Sequence, residues 1–183
     1  KPICFYIDDA FPAEWKNAIK QGVELWNKAF EQAGYQKAIE ALDFPKNDRN
    51  FDADDIAYSC IRYVPSTSDK VSSSFLANPQ TGEIINASVF VPANVGNQIY
   101  RWLFLGSAAS DASMRTSHLP QDKFNQGLKY LVAREVGRSL GLLDNIGASY
   151  SYPVDSLRNS TFTRANNLAA SIMANTPFNY VAQ

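Results

Sequence analysis

The chain has 183 residues, a net charge of −1 and 45% hydrophobic content, with 19% charged and 13% aromatic side chains. That length supports one packed domain over residues 1–183 and argues against a second full core. The balanced charge excludes a basic nucleic-acid surface, the aromatic content argues against disorder, and no apolar run approaches the ~18 residues of a membrane span. The chain opens at Lys1, without an initiator Met or the basic and apolar stretches of a signal peptide, so it reads as a mature protein or an excised domain of a longer one.

Residues 3–7 form a short apolar run that fits a buried strand. Pro12 suits a first helical turn. Trp15, Ala18, Ile19, Val23, Trp26, Phe30 and Ala33 then follow at helical spacing and predict one amphipathic helix over residues 13–33, closed by Gly34. Lys16, Lys20, Glu24 and Lys28 take its wet side. Residues 43–55 are polar. Their aspartates, Asp48, Asp52, Asp54 and Asp55, offer oxygens to a hard cation, but the fixed glycine and terminal glutamate of a calcium loop are missing, so a solvated loop is expected.

Residues 57–64, 71–76 and 84–91 read as strands, the last two joined as a hairpin by Asn78-Pro79-Gln80-Thr81-Gly82. Residues 95–110 read as a helix with Ile99, Trp102, Leu103 and Leu105 turned inward. Residues 111–120 form a loop with the only histidine, His118, expected at the surface. A second long helix over residues 121–140 presents Phe124, Leu128, Leu131, Val132, Val136 and Leu140 to the core and ends at Gly141. Residues 142–183, with Pro153 and Pro177, read as largely irregular. This order predicts a mixed sheet covered by helices, an α+β or α/β domain. Cys4 and Cys60 both lie in strand-like runs, and two buried thiols or an inter-strand disulfide both fit. With one histidine they are too few for an ordinary structural zinc site.

The informative stretch is Arg134-Glu135-Val136-Gly137-Arg138-Ser139-Leu140-Gly141-Leu142-Leu143-Asp144. Residues 134 and 138 are one helical turn apart and share a face, with Glu135 beside them. Gly141 permits a sharp turn that swings Asp144 back toward the same point.

This frame resembles the metzincin signature H-E-x-x-H-x-x-G-x-x-H, in which three histidines hold zinc and the glutamate is general base to the metal-bound water. Glu135 and Gly141 match it, and Arg134, Arg138 and Asp144 stand at the histidine positions. Ser171-Ile172-Met173 resembles the methionine turn that lies under the metal in this clan. Pro2-Ile3-Cys4-Phe5-Tyr6-Ile7-Asp8, Phe11-Pro12-Ala13-Glu14-Trp15, Tyr152-Pro153-Val154-Asp155-Ser156-Leu157-Arg158 and Phe178-Asn179-Tyr180-Val181-Ala182-Gln183 extend the likeness nearly end to end. Together they resemble a family of large bacterial zinc-dependent metzincin-like proteins, often secreted or envelope-associated. The resemblance implies a metzincin-type fold of four to five strands with a long backing helix and an active-site helix, and an extracytoplasmic location. It implies a substrate cleft bordered by the strand at 84–91, with Ile84, Asn86, Ser88 and Asn175 along it. The tyrosine expected two residues after the turn methionine is replaced by Asn175.

Arginine has no lone pair for a metal, and catalytic zinc sites take three protein ligands. The expectation is therefore a peptidase-like domain with its zinc lost, no cofactor, and Glu135 as a vestigial general base. It would be structural or hold an extended peptide or protein segment, with no nucleic-acid partner and no membrane insertion. The alternative is an active zinc-dependent endopeptidase using Glu135. A metal-free serine hydrolase fits worse, since there is no G-x-S-x-G elbow and a single histidine. Because the four charges at 134, 135, 138 and 144 sum to zero, the residues themselves predict an arginine–carboxylate network in the old metal position.

Overall fold

The computed structural model describes residues 1–108 and 112–174, together with 176, 179 and 181. Five strands form one sheet in the order β2-β1-β3-β5-β4. They are β1 (Ile3–Ile7), β2 (Ile39–Asp43), β3 (Ser59–Val64), β4 (Ser72–Ala77) and β5 (Ile84–Pro92). The first, second, third and fifth run parallel, and β4 runs antiparallel to β5 at one edge. The helices are α1 (Ala13–Glu24), α2 (Asn27–Gln32), α3 (Val95–Ser107), α4 (Gln121–Ser139), α5 (Val154–Arg158) and α6 (Ser160–Asn166), with 3-10 turns at Ala112–Met114 and Ile146–Tyr150. This is the mixed α+β architecture expected of a metzincin-like fold.

The core lies between one face of the sheet and the pair α1 and α4, which pack against each other. Alternation on the strands turns Phe5, Ile7, Ile61, Ala87, Val89 and Val91 inward. They meet Ala18, Ile19 and Val23 of α1 and Leu128, Val132 and Val136 of α4, all buried. At roughly 2 kcal/mol for each large side chain withdrawn from water, this layer is the main source of stability. The opposite face is covered by the segment between β2 and β3. Tyr6 packs on Phe51 and Tyr58 there at ring distances of 5.3 and 5.5 Å.

That segment is not a metal loop. Asp48, Asp52 and Asp55 each accept the backbone N–H two residues on, and Asp54 pairs with Arg62 at 2.7 Å. The aspartates are spent on turn geometry, as short polar side chains in turns are.

Several sequence expectations need correction. The helix predicted over 13–33 is broken at Leu25 and Trp26. Its cause is tertiary: Trp26 Nε1 donates to Ala133 O of α4 at 2.8 Å, and Asn27 both donates to and accepts from the backbone of Ile39 on β2. Strand β2 was not foreseen, although Ile39 and Ala41 alternate inward. Leu105 is 71% exposed, while Val95 and Ile99 fill the inner face of α3. The stretch after 142 carries two short helices, and Asn159 caps the second by accepting from Thr161 and Phe162 N–H. Cys4 and Cys60 are free thiols. Tyr6, not Cys4, stands opposite Cys60, so the two sulfurs are diagonal neighbours, ~7–8 Å apart at the backbone and beyond ordinary disulfide reach. His118 is exposed, as expected.

Candidate functional site

Helix α4 starts after Pro120 with Asp122 in its first turn and ends with Arg138 in its last, both favourable to the helix dipole. Gly141 takes φ +88°, a conformation that strains any residue with a Cβ. Leu142 N–H then donates to Gly137 O at 3.1 Å and Gly141 N–H to Arg138 O at 2.9 Å, a Schellman ending that reverses the chain.

The reversal brings Asp144 onto the arginine face. Arg134 Nη2 donates to Asp144 Oδ1 at 2.9 Å, and Arg138 Nη2 donates to Oδ1 and Oδ2 at 2.7 and 2.8 Å. Charge-assisted hydrogen bonds of this length are among the stronger polar contacts in proteins. The Arg138 hydrogen bond, with the charges of both guanidinium groups, holds the Asp144 carboxyl below its usual pKa, and the same hydrogen bond raises that of Arg138. Asp144 and Arg138 are 42% and 38% exposed, whereas Arg134 is only 11% exposed and its Nε is buried without a partner among the described residues.

Glu135 lies beside them and makes a contact of its own with the sheet. Its side chain is 6% exposed, Ser73 Oγ of β4 donates to Oε2 at 2.8 Å, and Arg138 Nη1 stands 3.6 Å from Oε1. Ser73 had no sequence signal, because only the pairing of β4 onto β5 and α4 reveals it. Below the helix lies Met173, 3% exposed. Its carbonyl accepts the N–H of Asn145 at 3.0 Å, and its Sδ would lie 2.7 Å from a Cβ on Gly137. Gly137 is thus needed for the methionine turn and Trp26 to approach α4.

A cleft of about 560 Å³ opens beside these groups. It is lined by Glu135, Arg138 and Asp144, by Ser72 to Phe75 of β4, and by Leu142 and Leu143. The cleft is therefore bordered by β4, not by the strand at 84–91. β5 is bonded to β3 on one side and β4 on the other, so no peptide can add to it. Ile84 instead packs against the Gly141 turn, Asn86 donates to Ile56 O and Tyr58 O, and Ser88 sits between Cys60 and Ser74 in register. Asn175 lies outside the described residues. A second cavity of about 560 Å³, lined by Trp102, Leu103, Tyr130 and Ile172 among others, contains no residue of the motif.

Zinc does not fit the residues present. Two of the three ligand positions hold guanidinium groups, and among the described residues no three His, Cys, Asp or Glu side chains converge to hold a metal.

The helix ended by glycine and the buried methionine turn agree with a metallopeptidase-like domain. Residues 116–183, which carry α4, Asp144 and Met173, match a family model described as Met-zincin. That segment is metzincin-like by the match. No curated protein and no solved structure matches it.

Proposed function

We propose that this is a metallopeptidase-like domain that has given up zinc and peptide hydrolysis and uses its cleft to hold an extended peptide or protein segment. The observation that carries this reading is the position of Asp144, bonded to Arg134 and Arg138 where a metal would need lone pairs. Without a metal, Glu135 has no metal-activated water to act on. Glu135 is then a vestigial general base.

The outer edge of β4 supports the binding half of the reading. Its unpaired N–H and C=O groups can accept another strand, and Phe75, Leu142 and Leu143 offer apolar walls at 51%, 43% and 87% exposure. The extracytoplasmic location implied by the resemblance to secreted bacterial proteins belongs to the same proposal.

The test is a peptide-library cleavage assay with and without chelator, run beside titration of uncleaved extended peptides. The reading expects no chelator-sensitive cleavage, and binding that weakens when Phe75→Asp is introduced. Chelator-sensitive cleavage abolished by Glu135→Gln would establish the alternative, an active zinc-dependent endopeptidase.

A further inference from the structure

We infer that Arg134, Arg138 and Asp144 form an ionic clasp that does here the fastening a bound metal would do, holding the loop after Gly141 and the Met173 turn against α4. The inference goes beyond the function proposed above, since the clasp acts whether or not a peptide fills the cleft.

Residues 141–147 are all exposed, with Leu143 and Ile146 at 87% and 69%. Apolar burial therefore does little to hold this loop down. Among the described residues its polar ties to the rest of the fold are the Asp144 ion pairs, the Gly141 N–H to Arg138 O and Leu142 N–H to Gly137 O bonds, and the Asn145 N–H to Met173 O bond. Asp144 and Asn145 are adjacent, so fixing the first places the second for its bond to the methionine turn.

The clasp is also asymmetric. The Asp144 bond is the only hydrogen bond the Arg134 side chain makes among the described residues, and that side chain is nearly buried. Removing the carboxylate strands a charge that water reaches poorly, which costs more than the lost bond itself. Arg138 and Asp144 are each more than a third exposed, and removing Arg138 leaves Asp144 paired with Arg134 and Glu135 hydrogen-bonded to Ser73. A purely steric role for residue 144 would show no such dependence on the charge at 134.

Amide hydrogen exchange of the whole chain at neutral pH tests this, read at Leu142, Asn145 and Ala148. The expected result is protection in the wild type that neither chelator nor added zinc changes. Asp144→Asn should speed exchange at least tenfold at these amides while Leu128 to Val136 stay protected. Arg138→Gln should speed it less, and Arg134→Gln placed in the Asp144→Asn background should recover part of the protection. Wild-type rates in Asp144→Asn, or a chelator-induced rise that zinc reverses, would overturn the clasp. If Asp144→Asn does not fold, Arg138→Gln decides, and unchanged exchange in it overturns the inference. Peptide binding measured on the same samples fails or survives separately.

Discussion

At the scale of single residues, Asp144 accepts hydrogen bonds from two arginines while remaining 42% exposed, so solvent screening limits what its ion pairs contribute. Most of the loss in Asp144→Asn comes from Arg134, left with a buried charge. We expect a destabilisation of about 2 kcal/mol by urea unfolding at pH 7. The groups facing Asp144 are Arg134 and Arg138, with Glu135 behind Arg138 and the Tyr130 hydroxyl nearby. Because the folded carboxyl titrates below the unfolded one, its stabilisation is present above about pH 4 and lost as pH falls through the folded value. The gap between wild type and Asp144→Asn in urea titrations should therefore hold above about pH 4 and narrow as pH falls below it. At the other face of the sheet, burial pushes the Cys60 thiol up to about 11. Thiol reagent near pH 8 should label Cys4 in the folded protein and Cys60 only on unfolding, read by mass spectrometry. The convergence of Arg134, Arg138 and Asp144 was legible in the sequence, because helical spacing and one glycine sufficed. Ser73 was not, because its contact with Glu135 depends on which strand lies next to α4.

At the scale of elements, α4 is held where it is by small contacts as much as by its apolar face. A Cβ on Gly137 would collide with the Trp26 ring and lie 2.7 Å from Met173 Sδ, so Gly137→Ala should cost about 1–3 kcal/mol in thermal or urea unfolding. Trp26→Phe loses the hydrogen bond to Ala133 O, about 1 kcal/mol, together with part of the ring packing on Gly137. If the two variants were equally mild, the close approach of α2, α4 and the methionine turn would not be what fixes the site. The apolar periodicity of α4 announced it in the sequence. The break between α1 and α2 was invisible there, because Trp26 and Asn27 are drawn out of one continuous helix by partners on α4 and β2. The identity of the cleft strand was hidden for a similar reason. Both strands of the hairpin were foreseen, but alternation along a strand does not say which of its edges is paired. β5 is interior and β4 the edge, so strand addition is open at β4 and not at β5, and the cavity beside Glu135 is lined by Ser72–Phe75.

At the scale of the whole molecule, the parallel strands, the two long core helices and the match of residues 116–183 to Met-zincin place the motif in the setting its spacing implies. What the fold retains is a frame: helix, glycine turn, returning loop and methionine floor. What it changes is the chemistry at the three positions facing the centre of that frame. Two guanidinium groups and two carboxylates, those of Asp144 and Glu135, make a charge-neutral set, which in the proposed reading lets the frame close without a metal. The measurement that tests this most directly is the zinc content of the purified chain after incubation with excess zinc and exhaustive dialysis, beside the variant Arg134→His/Arg138→His/Asp144→His. The account predicts far less than stoichiometric zinc in the wild type and close to one equivalent in the triple variant. Stoichiometric, chelator-removable zinc in the wild type would contradict it.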